Sequence, residues 1–290
     1  MSEAGHPTGE RQPMVSIVVP AHNEEAVLDG NLRRLLAGTR PGEFDVVVVP
    51  NACSDRTADV ARRVGVRVVE TPVPGKVPAL RLGDEACRTF PRIYLDADVE
   101  LTAESVRALV AAAAQPGVLA CAPAPRLDLD GVGRVVRRVH RVHEHLIAPS
   151  RALSGVGVYV LTERGHARVF PMPDVISDDG WVHASFTPDE RVVVPEARSL
   201  VRPARTVSAH LNRRMRVRRG NRQLAELGRA APEGRLRLRS LVTLVTRRVV
   251  SPVDAGCYLA VLALDRALTR LRPAHRAAWG SDASSRSAPA

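Results

Sequence analysis

Four short apolar runs, each followed by a turn signal and a helical pattern, constrain this chain more than any other feature. VSIVV (Val15 to Val19) closes at Pro20, FDVVVVP runs from Phe44 to Pro50, VRVVE from Val66 to Glu70, and RIYLD ends at Asp96. Runs rich in β-branched residues without polar alternation suit strands buried on both faces. Between them apolar residues return at helical spacing. Val27, Leu28, Leu32, Leu35 and Leu36 mark a helix from Glu24 to Ala37, with Gly38 as its stop. Ser54 and Asp55 open a second helix carrying Val60 and Val64, and a third runs from Val77 to Arg88 behind the turn at Pro74 and Gly75. Strand and helix alternate with no hairpin turn between them. The pattern predicts an α/β fold with a mostly parallel central sheet flanked by helices, whose ligands gather at the carboxyl ends of the strands.

Length and composition fit that reading. The 290 residues suffice for one large domain or two small ones, and 45% hydrophobic with 25% charged residues is the balance of a folded, soluble body. Cys53, Cys87, Cys121 and Cys257 show no metal or disulfide spacing, so a reducing, cytoplasmic setting is expected. The first residues lack the basic start and apolar stretch of a secretory signal. The late apolar stretch from Ala255 to Leu264 falls short of the ~20 residues a membrane span needs.

Beyond Ala122 the alternation loosens. A basic amphipathic helix is expected near Val132 to Leu146, a Gly-rich strand near Gly155 to Leu161, and an acidic turn at Ser177-Asp178-Asp179-Gly180-Trp181. Arginine-rich helices follow over Ser208 to Arg229 and Arg235 to Arg248. The expected organisation is a flexible leader (1–13), a first lobe (14–122), a smaller second lobe (123–230), C-terminal helices (231–275) and a disordered tail (276–290). Charge follows the same division: residues 191–290 hold 21 arginines against 6 acidic residues, so the net charge of +11 resides in that third. Either this is a solvated face closing the second lobe or, with the amphipathic stretches Leu236 to Val250 and Tyr258 to Leu271, a surface that docks reversibly on an anionic membrane.

Polar residues collect at the predicted strand ends. Asp96-Ala97-Asp98 follows an apolar strand directly, a placement in which two carboxylates can share Mg²⁺ or Mn²⁺; the competing reading is a solvated acidic turn. Lys76 is the single lysine among 42 basic residues, kept at the start of a helix where an ammonium can meet a phosphate oxygen.

Taken together, SIVVPAHNEE, VVVVPNACSDRT, GKVPALRLG and YLDADVELT resemble, in order and spacing, the nucleotide-sugar lobe of family 2 glycosyltransferases of the GT-A fold. The resemblance covers Val15 to about Ala122. It implies an inverting transfer of a sugar from a nucleotide-diphosphate donor to an acceptor hydroxyl, with a divalent cation, Mn or Mg, as cofactor. By this resemblance Pro20, Ala21 and Glu24 line the nucleotide pocket, Lys76 meets the diphosphate, Asp96 faces the donor, and Asp98 holds the metal with Asp96. The family has two aspartates after its second strand where this chain has Pro50 and Asn51. The Asn51 amide then either reads a base edge or makes an Asx turn. Arg81 replaces an asparagine of the lysine segment. Asp178 and Asp179 resemble the family's Glu-Asp pair, which makes Asp179 the general base and leaves open a second role as helix-capping acids. Trp181 is a sugar platform or a core residue. Arg216 and Arg219, in NRRMRVRRGNRQL, loosely match a QxxRW segment that meets diphosphate and acceptor. His183 and His210 are weak candidates for a third metal ligand.

Three other functions compete. A sugar-1-phosphate nucleotidyltransferase would need a Gly-rich basic loop where PAHNEE stands, and a nucleic-acid-binding protein would need more than 3% aromatic residues to stack on bases, so no nucleic-acid partner is expected. A non-catalytic relative is kept open by Pro50 and Asn51. The sequence leaves the acceptor open between a lipid-linked molecule and a polysaccharide, and an acceptor of the first kind would bring the protein to the inner face of the membrane.

Overall fold

The computed structural model describes residues 12–146, 152–229 and 238–271. At its centre is one eight-stranded sheet. The first four strands are β1 (Val15–Ala21), β2 (Phe44–Pro50), β3 (Arg67–Val68) and β4 (Arg92–Leu95), followed by β5 (Glu100–Leu101), β6 (Ala120–Leu127), β7 (Val158–Leu161) and β8 (Arg191–Val201). Their order in space is β3-β2-β1-β4-β7-β6-β8-β5. The first four run parallel, with Val15 opposite Phe44 and Ser16 opposite Arg92. At β7 the direction reverses: Leu95 pairs antiparallel with Val158. β6 is antiparallel to β7 but parallel to β8, and β5 is antiparallel to β8. The sheet is thus mixed, parallel in its first half and alternating in its second.

Alternate residues of β1 explain the layers. Val15, Ile17 and Val19 face one core with Leu28, Leu32 and Leu35 of α1 (Glu25–Leu36) and Leu109 of α4 (Ala103–Ala113). Val18 faces the other, with Leu80 of α3 (Lys76–Ala86), Tyr94, Tyr159 and Val182. A fully buried valine or leucine contributes roughly 1.5–3 kcal/mol, so a central strand with two buried faces is held firmly in register.

Three expectations shift. The third strand shrinks to two residues at the sheet edge, where it has one neighbour and gains little from its apolar run. The second helix, α2 (Thr57–Val64), starts later than Ser54, because the Asp55 carboxylate turns back to accept the Thr57 and Glu25 backbone N–H groups. The boundary drawn at 122 falls inside β6, so the two lobes share a single sheet. β8 was not foreseen: its Pro195 and alternating charges hide an edge-like strand that pairs with β6 across a register shift at Pro123 and Ala124.

The remaining helices are α5 (Arg134–Leu146), α6 (Glu163–Val169), α7 (Asp178–Ala184), α8 (Val207–Glu226), α9 (Leu238–Thr246) and α10 (Pro252–Leu271). Helices α5, α8, α9 and α10 enclose a separate small core built on Val139, Val142, Leu211, Leu241, Tyr258 and Val261. The tail expected at 276–290 and most of the leader lie outside the described residues.

Candidate active site

The carboxyl ends of β1 and β2 are tied together by Asn51. It is fully buried, its Nδ2 donates to the Ala21 carbonyl at 2.8 Å, and its Oδ1 accepts the Gly75 N–H at 3.3 Å. The Asn51 N–H reaches the same Ala21 carbonyl at 2.9 Å, and His22 Nδ1 lies 2.7 Å from the Asn51 carbonyl. Of the two readings of this residue, the geometry matches a backbone brace, because both amide atoms are engaged with the main chain. Pro20 and Ala21 end β1 beside it, buried. Glu24 is buried at the start of α1, where its N–H donates to Thr57 Oγ1 at 2.8 Å.

Gly75 links that brace to α3. Its φ of +134° is open only to glycine without strain, and it sets the direction in which Lys76 leaves the helix start. Gly83 brings the same helix close to the sheet: a Cβ there would stand 2.5 Å from Val18 Cγ1 and 2.9 Å from Val49 Cγ2. The lysine consequently reaches the end of β4. Lys76 Nζ lies 2.6 Å from Asp96 Oδ1 and 2.9 Å from Asp178 Oδ2. Burial alone would lower the ammonium's pKa, but the carboxylates of Asp178, Asp96 and Asp179 outweigh it and hold the pKa well above the usual lysine value. The lysine is therefore a fixed positive charge between the first lobe and the second.

Asp96 directly follows β4, and its N–H bonds to the Gly157 carbonyl at 2.9 Å, at the point where the sheet changes from parallel to antiparallel. Asp98 is half-buried two residues later in the same turn. Among the described residues no three His, Cys, Asp or Glu side chains gather as a metal site. His210 is corrected out of the ligand set. It is buried edge-on to His140 at 5.4 Å, and burial with Arg214 and Arg213 nearby lowers its pKa to about 4. His183 is buried on α7, and it too is outside any such cluster.

Asp178 and Asp179 open α7, where the positive helix end favours carboxylates. Their environments diverge. Asp178 is buried, 3.5 Å from the Tyr159 hydroxyl, and burial pushes its pKa up to about 6 against the opposing pull of Lys76. Asp179 is only half-buried. Its Oδ2 accepts the Gly155 N–H at 2.6 Å, while its Oδ1 accepts the Ser177 hydroxyl at 2.8 Å and the Gly180 N–H at 2.7 Å. Burial would raise this pKa as well, but the Lys76 charge and those hydrogen bonds hold it below the ordinary aspartate value. At neutral pH Asp179 is an oriented, ionised carboxylate.

The structure brings Lys76, Asp96, Asp178 and Asp179 together and leaves others apart. Arg216 is exposed and Arg219 half-buried on α8, and among the described residues neither makes an ion pair or hydrogen bond to the cluster. Trp181 is packed: its indole N–H points at the Val169 carbonyl at 3.4 Å, and the Arg229 guanidinium stacks 4.5 Å from its ring. Of its two readings, the contacts fit the core residue. Arg81, at the position of the family's asparagine, bonds to the Met172 carbonyl and pairs with Asp174 at 2.9 Å, so it ties α3 to the segment leading into Asp178. Tyr159, Gly155 and Ser177 were not foreseen. Gly155 carried a signal as part of a Gly-rich segment and Ser177 as the first residue of the acidic turn, each without a role; a tyrosine inside an apolar strand reads as core.

A mixed sheet, parallel in its first half and flanked by helices, is the architecture of GT-A glycosyltransferases. Residues 16–157 match the model of glycosyl transferase family 2. Over those residues, just under half of the chain, the sequence is that of glycosyl transferase family 2.

A glycosyltransferase of Mycobacterium tuberculosis with no assigned activity is 34% identical over 148 residues, which is 47% of this chain and 66% of the relative. An undecaprenyl-phosphate 4-deoxy-4-formamido-L-arabinose transferase of Pseudomonas fluorescens is 36% identical over 109 residues, 34% of this chain and 32% of the relative. This chain thus spans less than two thirds of the length of either relative. In architecture, it is similar to a Pyrobaculum calidifontis mannosyltransferase solved with GDP-Man and Mn²⁺, with a TM-score of 0.58 at 17% identity over 89% of this chain and 76% of that one. It is also similar to glucosyl-3-phosphoglycerate synthase of M. tuberculosis, solved with Mn²⁺, UDP-Glc and phosphoglyceric acid (TM-score 0.55, 20% identity, 80% and 87% covered). At these identities the likeness establishes the GT-A fold.

Proposed function

We propose that this protein is an inverting glycosyltransferase that moves a sugar from a nucleotide-diphosphate donor to an acceptor hydroxyl. The observation that carries the reading is the Lys76 ammonium held between Asp96 and Asp178, because it joins the strand ends where a diphosphate would lie to the acidic pair of the second lobe. The donor's phosphates would draw Lys76 from its carboxylates by the same charge that now fixes it. Pro20 and Ala21 at the end of β1 and Glu24 at the start of α1 would line the nucleotide side, with Asn51 bracing the neighbouring strand ends.

The donor set suits a hard divalent cation. Three carboxylates, Asp96, Asp178 and Asp179, act on the one lysine, and the Asp98 carboxylate lies in the adjoining turn. Asp98 and Asp96 would hold the ion, with donor phosphates and water completing its oxygen shell, as is usual for magnesium-type sites. When bound, the cation supplies charge neutralisation for the diphosphate.

Asp179 takes the proton of the acceptor hydroxyl. It is ionised and oriented, and it is less buried than Asp178, whose carboxyl locks Lys76 instead. As the acceptor oxygen bonds to the anomeric carbon, the carbon–oxygen bond to the nucleoside diphosphate breaks on the opposite face, which inverts the centre. The relatives named for undecaprenyl-phosphate support a lipid-linked acceptor over a soluble polysaccharide. Thermal-shift measurements against a panel of nucleotide sugars, with and without Mn²⁺, test the reading. The true donor at a hundredfold excess over its Kd should stabilise by about 2.7 kcal/mol, and Asp98→Asn should remove the metal-dependent part. Absence of any stabilising nucleotide sugar would reject it.

A further inference from the structure

Helix α10 turns its acidic residues inward. Its aspartates, Asp254 and Asp265, are buried, the first beside Arg138 of α5 at 2.8 Å, the second beside Arg214 and Arg218 of α8 at 2.7 and 2.5 Å. Buried carboxylates persist only when paired, and these pairs dock the helix on its neighbours. The face turned to solvent is the opposite of an ordinary surface helix. From Val253 to Leu264 its exposed residues are Val253, Gly256, Leu259, Ala260, Ala263 and Leu264, with no charge among them. Val253 is 60% exposed and Leu264 45%. On α9 and just after it, Leu238, Val242 and Val249 are exposed as well.

Charge completes the picture. Between residues 238 and 268 every exposed charged side chain is an arginine: Arg239, Arg247, Arg248 and Arg266. On the inner side of the first turn of α10, beside Asp254, Arg134, Arg137, Arg138 and Arg141 of α5 line one cleft. An apolar helix face whose own exposed charges, between residues 238 and 268, are all positive is complementary to anionic lipid headgroups above acyl chains. A second copy of the chain would set arginine against arginine. No helix among the described residues is long and apolar enough to cross a membrane, so the contact is one of lying on the surface.

We propose that the outer faces of α9 and α10 form a docking surface for an anionic phospholipid bilayer. The inference stands apart from the transferase reading, since its test reads adsorption and not turnover. Flotation of the full chain with phosphatidylcholine vesicles containing phosphatidylglycerol should carry the protein upward at low salt and release it at high salt, and vesicles of phosphatidylcholine alone should leave it behind. Val253→Asp with Leu264→Asp, both at exposed positions, should weaken recovery by about tenfold or more while the melting transition holds. Should that variant melt early, Arg239→Gln with Arg247→Gln provides the same reading, as loss of selectivity for anionic vesicles. Equal recovery with both vesicle types overturns the proposal. So does a wild-type dimer in sedimentation that Val253→Asp with Leu264→Asp dissociates, because a second copy would then be the cover.

Discussion

Lys76 Nζ lies 2.9 Å from Asp178 Oδ2, a contact between the start of α3 in the first lobe and the start of α7 in the second. This single pair, with Asp96 at 2.6 Å on the other side, holds the two halves of the candidate site in one arrangement.

Lys76→Ala should weaken binding of the nucleoside diphosphate by about 1.5–3 kcal/mol, the range for a hydrogen bond to a charged group, and hardly change binding of the free nucleoside. Calorimetric titration of both ligands decides this. Similar losses for the two would remove Lys76 from the diphosphate site.

Asp179→Asn should retain donor affinity and lose roughly 10²- to 10⁴-fold in turnover, the usual range for a positioned general base, while Asp178→Asn should cost less. Near-wild-type turnover of Asp179→Asn with the true acceptor would place the base elsewhere or leave the protein without catalysis.

Asp178 gives stability a definite pH dependence. Its pKa is raised from 3.8 to about 6 in the folded state, so its contribution is present in full below 3.8 and is lost as pH rises through 6. The melting temperature of Asp178→Asn relative to wild type should accordingly climb between pH about 4 and about 7. A difference that stays flat across that window contradicts the assignment.

Gly83→Ala tests the packing beneath the site. The added methyl would meet Val18 and Val49 inside ordinary contact distance, and overpacking of this kind costs about 1–3 kcal/mol. Denaturant unfolding measures it. Because α3 must shift outward and carry Lys76 with it, nucleoside diphosphate affinity should fall in parallel; a destabilised variant with unchanged affinity would separate the lysine's placement from the helix packing.

The sequence by itself determined the first half of the sheet, since β-branched runs buried on both faces have no other stable place and the helices between them announce themselves by period. It also placed the candidate polar residues there: Asp96, Asp98 and a lone Lys76 fall at strand and helix ends by local pattern alone. Tertiary structure decided what those residues do. Asn51 reads identically as a base contact or a brace, and only the distances to Ala21 and Gly75 distinguish them. Asp178 and Asp179 are chemically the same side chain in adjacent positions. Their pKa values part because one is buried against Lys76 and Tyr159 while the other collects backbone and hydroxyl donors from Gly155, Ser177 and Gly180. The inward aspartates of α10 were hidden for the same reason. Period reveals that a helix has a face, but the direction of that face depends on which arginines of α5 and α8 the fold brings within reach, and pairings between distant segments are not written in local sequence.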